Sequence, residues 1–327
     1  GINDGQMQVG DMMAFIQYTM QIIMAFLMIC MISIMLPRAA VSATRVDEVL
    51  TSTTLINDPK QPKHLKEGKG MVEFDHVSFR YPGAEEDVLH DISFTAKPGE
   101  TTAIIGSTGS GKSTMVNLIP RFYDVTEGKI TIDGEDIRNV TQHELRDQLG
   151  YVPQKGVLFS GTIASNILYG NPDGSEETMM EAAKVAQAAE FIEEKPKCYD
   201  SRIAQGGGNV SGGQKQRLSI ARAIAKDPKI FIFDDSFSAL DYKTDVTLRK
   251  ALKEHTVNST VIIVAQRIST ILHAEQIIVL DEGKVAGIGT HKELLKNCDV
   301  YYQIAASQLS EKELERDLNQ DEQEGGR

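Results

Sequence analysis

Gly106-Ser107-Thr108-Gly109-Ser110-Gly111-Lys112-Ser113-Thr114 is the stretch that decides the fold of this chain. It follows a short apolar, β-rich run at 101–105 and precedes an apolar helical run at 115–119. Strand, glycine loop and helix in that order make a phosphate-binding P-loop. The glycines let backbone N–H groups curl around phosphate oxygens, and the helix N-terminus adds the positive end of its dipole. In such a loop Lys112 reaches the β- and γ-phosphates, and the Ser113 hydroxyl binds Mg²⁺.

The other half of such a site is an acidic residue at the end of a buried strand. Ile230-Phe231-Ile232-Phe233-Asp234 fits: four apolar residues suit a strand covered on both faces, and Asp234 emerges where it can hold Mg²⁺ through water. Further β-rich runs lie at 71–79, 92–95, 129–132, 261–264 and 277–280, with helical patterns at 178–189, 217–225 and 246–254. Strands alternating with helices predict an α/β fold with a mainly parallel sheet covered on both faces. The early strands follow one another without helices, which predicts a small antiparallel sheet beside that core. The expected nucleotide-binding domain spans 71–307.

Many P-loop proteins share these two features, and a third separates them. Ser211-Gly212-Gly213-Gln214 follows Val210 and precedes a helix at 215–225, shortly before the Asp234 strand. This resembles the signature of ATP-binding-cassette (ABC) proteins, and the order of the surrounding residues is similar to that family throughout. The resemblance implies that ATP is the nucleotide, that Tyr81 stacks on adenine, and that Gln154 touches Mg²⁺ and senses the membrane domain. It also implies that the loop Ser238–Asp241 contacts an opposing subunit. Two such domains would sandwich two ATP molecules, each between the P-loop of one domain and the Ser-Gly-Gly-Gln of the other. A helical subdomain would carry that signature.

Two positions depart from the family pattern. The residue after the Mg²⁺ aspartate is normally Glu, which orients and deprotonates the attacking water; here it is Asp235, one methylene shorter. After the run at 261–264 the family usually carries His against the γ-phosphate; here Gln266 stands there, able to donate a hydrogen bond but not to take a proton. Together they resemble the weakened site of an asymmetric transporter, whose partner would supply the intact Glu and His.

Upstream of the cassette, residues 12–36 carry no charge between Asp11 and Arg38. A helix over this run exceeds the roughly 30 Å of bilayer hydrocarbon, so it can cross with some tilt. The run is too long for a signal peptide and lacks the basic region before it and the cleavage site after it. Asp4 and Asp11 precede it while Arg38 and Arg45 follow, which places everything after Leu36 in the cytosol. Gln17, Thr19, Gln21 and Ser33 are costly against lipid and are expected to face other helices or a polar cavity. The pattern at 38–50 extends this helix, and Asp58-Pro59 and Pro62 are expected to end it before a linker that runs to 70.

One such helix has nothing in this sequence to pack against. The expectation is therefore the C-terminal piece of a longer, multi-pass cell-membrane protein: a stub and membrane helix at 1–36, a helical extension and linker at 37–70, the cassette at 71–307 and an acidic tail at 308–327. This looks like an exporter half-transporter of the multidrug or lipid type, with a second half-transporter, the rest of the transmembrane domain and the bilayer as partners. A slow homodimeric exporter and a non-transport ABC ATPase are the alternatives, and the apolar run speaks against the latter. The formal charge of −12 argues against a nucleic-acid partner, because phosphate backbones need a basic face. Cys30, Cys198 and Cys298 are far apart and are expected to be unpaired thiols facing cytosol or lipid. The acidic stretch 311–324 reads as solvated helix or disorder.

Overall fold

The computed structural model describes residues 8–319, and the chain falls into two units that divide between Asn57 and Asp58. The first unit is a single helix, Val9–Leu50, of 42 residues. Its apolar window has a mean hydropathy of 2.3, and it is long and apolar enough to cross a membrane. Pro37 lies inside it without ending it. Thr19 and Ser33 need no neighbouring helix for their hydroxyls: they donate to the carbonyls of Phe15 and Ile29 at 2.8 and 2.9 Å. The helix stops at Leu50, ahead of the expected Asp58-Pro59. Thr51 and Ser52 turn their hydroxyls onto the Asp47 and Val49 carbonyls, so a Ser/Thr run ends the helix before the prolines do.

In the second unit the strands among the described residues are β1 (Val72–Phe79), β2 (Leu89–Ala96), β3 (Thr101–Gly106), β4 (Glu127–Ile132), β5 (Glu135–Asp136), β6 (Leu149–Val152), β7 (Gly161–Thr162), β8 (Arg202–Ile203), β9 (Ile230–Asp234), β10 (Thr260–Val264), β11 (Gln276–Asp281) and β12 (Lys284–Gly289). Six of them form the main sheet, in the order β12-β11-β3-β10-β9-β6. All neighbours in it are parallel except β12, which pairs antiparallel with β11. The expected antiparallel sheet is present as β2-β1-β4-β5.

Alternation along each strand divides the interior in two. Ile230 and Ile232 of β9 join Ile262 and Val264 of β10 in a core shared with the antiparallel sheet and the helix Lys112–Leu118. Phe231 and Phe233 point the other way, into a core with Leu218 and Ile220 of the helix Gly212–Ala225 and Leu248 of the helix Tyr242–His255. A strand buried on both faces needs apolar residues at every position, and each such side chain contributes on the order of 1.5–3 kcal/mol.

The helix expected at 178–189 runs over Glu176–Val185 and a separate one follows at Ala189–Glu193. Gln187 takes a left-handed φ of 55°, its N–H bonds the Lys184 carbonyl, and the Ala188 N–H bonds the Ala183 carbonyl. That is a helix-ending turn usually made with glycine. Of the three free cysteines, Cys298 sits buried in the core instead of facing outward, while Cys30 and Cys198 are exposed. The acidic stretch forms a helix at Glu311–Asn319 whose Leu314 is buried in the core, so it is not wholly solvated; the remainder of the tail lies outside the described residues.

Candidate active site

The sheet order brings the C-terminal ends of β3, β10, β9 and β6 side by side. Val264 lies opposite both Ile104 and Asp234 in register, and Val152 lies opposite Phe233. The residues that follow these strands therefore share one edge: the P-loop after β3, Asp234 and Asp235 at β9, Gln266 beyond β10, and Gln154 beyond β6. Crevices outside the carboxyl ends of parallel strands are where α/β sheets bind ligands.

The P-loop glycines have distinct reasons. A Cβ on Gly106 would run into the Leu280 carbonyl oxygen of adjacent β11. Gly111 holds φ at +96° as it enters the helix Lys112–Leu118, a conformation an L side chain resists. Gly106→Ala should therefore lower stability by about 1–3 kcal/mol through forced backbone displacement. Thermal unfolding of the purified protein checks this, with a lowered midpoint expected. Ser107, Thr108 and Gly109 form the exposed crown of the loop, and Ser110 is buried beneath it.

Lys112 donates to the carbonyls of Gly106 and Ser107 at 2.9 and 2.6 Å, which folds its ammonium over the loop. Burial pushes its pKa down, opposed by the carboxylates of Asp235 and Asp234. Ser113 donates to Asp234 Oδ1 at 2.9 Å. Burial pushes Asp234 upward and the neighbouring Asp235 charge adds to this, while the Ser113 hydrogen bond and Lys112 oppose it. The Tyr81 hydroxyl meets Thr114 Oγ1 at 2.9 Å, and its ring packs edge-on against Phe79 and Tyr123. The aromatic is thus fixed beside the first turn of the P-loop helix.

Asp235 is the centre of the cluster. Its backbone is left-handed, with φ 46°, and its N–H is held by the Val264 carbonyl at 3.0 Å. Gln154 Nε2 donates to Asp235 Oδ2 at 3.1 Å, and Gln266 Nε2 donates to the same oxygen at 2.7 Å. The two glutamines come from different strand ends and converge on one carboxylate.

Ser211, Gly212, Gly213 and Gln214 lie elsewhere. Ser211 caps the helix Gly212–Ala225: its Oγ accepts the Gln214 N–H at 3.2 Å, and Gln214 Oε1 accepts the Ser211 N–H at 3.1 Å. Ser211 and Gly212 are exposed. Asp241 likewise caps the helix Tyr242–His255 by accepting the Thr244 N–H at 3.0 Å. The Thr244 bonds hold its carboxyl below the usual range. Among the described residues no hydrogen bond joins these caps to the P-loop cluster.

Three polar residues that the sequence did not single out hold this site together. Ser236, fully buried, donates to the Val152 carbonyl at 2.9 Å and ties the end of β9 to β6. Gln216 brackets the Gln154 loop: its Oε1 accepts the Gly156 N–H at 3.1 Å and its Nε2 donates to the Pro153 carbonyl at 3.2 Å. Gln308 brackets the Gln266 loop in the same way, at 2.9 Å to the Ile268 N–H and 2.9 Å to the Gln266 carbonyl. Gln216 stands next to the signature, where a functional role was within reach; nothing local marks Gln308.

The family profile described as ABC transporter matches residues 89–238. The chain is 49% identical over 311 residues to an uncharacterized ABC transporter ATP-binding protein of Mycobacterium tuberculosis, covering 94% of this chain and 53% of that protein. It is 39% identical over 313 residues to ABC transporter B family member 4 of Dictyostelium discoideum, covering 95% of this chain and 41% of that protein. Among solved structures, a bacterial Atm1-family ABC exporter with ATP bound superposes with a TM-score of 0.81 at 37% identity, covering 93% of this chain and 53% of that one. The chain spans about half the length of the relatives it matches.

Proposed function

This chain carries the ATP-binding domain of an ABC transporter, and from that premise we propose that it is an ATP-binding and ATP-hydrolysing subunit of an ABC exporter whose own site hydrolyses slowly. The observation that carries the second part is the paired grip of Gln154 and Gln266 on Asp235 Oδ2. The helix Val9–Leu50 would be the last span of a multi-pass transmembrane domain in the cell membrane, with the cassette in the cytoplasm. Export as the direction is supported by the exporter named in the structural match.

In this reading the P-loop N–H groups and Lys112 hold the ATP phosphates, and Tyr81 stacks on adenine. The oxygen donors Ser113 Oγ and Asp234 Oδ1, 2.9 Å apart, suit Mg²⁺, which takes few protein ligands and completes its shell with phosphates and water. Mg²⁺ held there would supply positive charge against the ATP phosphates. Ser113, Asp234 and the Oε1 of Gln154 would hold it.

Hydrolysis also needs a base within hydrogen-bond reach of the attacking water. Two amides converge on Asp235 Oδ2, so Oδ1 is the oxygen left to take that proton, and the Asp side chain withdraws it by about 1.5 Å relative to Glu. Gln266 can hold the γ-phosphate by a hydrogen bond but carries no charge into the transition state. ATP is thereby bound well and turned over poorly. The second half-transporter would carry the Glu and His, and Ser211 to Gln214 of this chain would complete its site.

The phosphate assignment is tested by equilibrium titration with a fluorescent ATP analogue. Lys112→Ala should weaken ATP binding by about tenfold or more, because a charge-assisted contact to phosphate is lost. Tyr81→Ala should weaken it less, since one stacking contact goes. Unchanged affinity in a folded Lys112→Ala protein would refute the assignment.

A further inference from the structure

We propose that Gln308, at the C-terminal edge of the domain, is a positioning residue for the Gln266 loop and sets this site's preference for ATP over ADP. The inference rests on the proposed reading of Gln266 as the γ-phosphate contact. The helix Ile268–Ile271 begins at Arg267, which provides no side-chain cap. The missing acceptor comes from 40 residues away: Gln308 Oε1 takes the Ile268 N–H at 2.9 Å, while its Nε2 donates to the Gln266 carbonyl at 2.9 Å. One amide thus spans Arg267 and fixes the backbone on both sides of it. That backbone aims the Gln266 side chain at Asp235 Oδ2, 2.7 Å away.

Gln308 is itself held from two directions. On one side, the helix Asp299–Ala306 is anchored by fully buried Tyr301, whose hydroxyl meets His291 Nδ1 at 2.7 Å, and by fully buried Ala305. The Ala305 carbonyl receives the Gln308 and Leu309 N–H groups at 3.0 and 2.8 Å. On the other side, Ser310 pairs with Glu313 at the start of the helix Glu311–Asn319, whose Leu314 is buried. An exposed glutamine between two anchored helices, with both amide atoms satisfied by one distant loop, is fixed by its supports. A displacement of the C-terminal helices would therefore reach Gln266 through two hydrogen bonds.

Gln266 faces the γ-phosphate, which ADP lacks, so loosening its loop affects one nucleotide and spares the other. A general loss of fold would weaken both. The experiment uses the full-length protein assembled with its partner subunit, whose own P-loop lysine is replaced so that only this chain's site reports. Affinities for ATP and ADP are measured for the wild type, Gln308→Ala, Gln308→Glu and Gln266→Ala.

Gln308→Ala should weaken ATP by about tenfold, the scale of one or two positioning hydrogen bonds, and leave ADP unchanged. Gln308→Glu keeps the acceptor for Ile268 but loses the donor to Gln266, so it should fall between. Equal weakening of both nucleotides, or no change in their ratio, overturns the proposal. If Gln308→Ala does not fold, a wild-type ATP:ADP ratio in Gln308→Glu overturns it equally. Gln266→Ala separates the two levels: a wild-type ATP:ADP ratio there refutes the reading of Gln266 as the γ-phosphate contact. A lowered ratio there beside a wild-type ratio in the Gln308 variants refutes the positioning role alone.

Discussion

Ser211→Arg should nearly abolish ATPase activity of the assembled transporter, whereas Asp235→Asn should leave most of it. Ser211 is exposed at the N-terminus of the helix Gly212–Ala225, where its hydroxyl and the following N–H groups can meet a phosphate from outside the domain. In the proposed sandwich that phosphate belongs to the partner's fast site, and removing one preorganised donor from such a site costs about 10²- to 10³-fold. A bulky cation in its place also keeps the two domains apart. On the proposed reading Asp235→Asn disables only the slow site, which would contribute little turnover.

Ser211 also caps its helix, and losing that cap costs about 1 kcal/mol. Ser211→Ala loses the cap and the hydroxyl without adding bulk or charge, so its thermal unfolding gives the stability cost of the cap by itself. Steady-state ATPase and transport of the reconstituted pair give the comparison. In a homodimer every site contains both residues, so both changes would be severe and comparable. A mild effect at Ser211 beside a severe one at Asp235 would contradict the asymmetric account.

Much of this architecture was legible because the chemistry is local. Gly106 to Thr114 and Ile230 to Asp234 are contiguous, and a strand buried on both faces shows itself in four consecutive apolar residues. The signature at Ser211 to Gln214 was readable for the same reason. β6 was not, since Leu149–Val152 is short and includes Gly150. Nor was β12, an edge strand in which Gly287 and Gly289 interrupt the pattern. The end of the helix at Val185 was hidden because Gln187, with no glycine signal, adopts the left-handed turn.

At the site, sequence suggested which side chains matter but not how they meet. That Gln154 and Gln266 close on the same oxygen of Asp235 depends on the order β10-β9-β6, which arises from long-range pairing. Gln216 and Gln308 were invisible for the same reason. Each acts on backbone atoms distant in sequence, and a lone glutamine carries no periodicity that would announce it.

The central claim, that this site is slow because its carboxylate is short and its γ-phosphate contact cannot handle charge, predicts that the defect is reversible. The double variant Asp235→Glu with Gln266→His should raise hydrolysis at this chain's own site by about 10²-fold or more, the lower end of what a well-placed general base contributes. Part of the gain is offset at the backbone. Residue 235 is left-handed, with φ 46°, which aspartate tolerates better than glutamate. Neither single change is expected to suffice: Glu alone lacks the proton-handling partner, and His alone leaves the base out of reach. The measurement is single-turnover hydrolysis of ATP by the assembled transporter with the partner's catalytic glutamate replaced, so that only this site is counted. Turnover rising well above background in the double variant is the predicted result. Turnover that stays at background while ATP still binds would contradict the account.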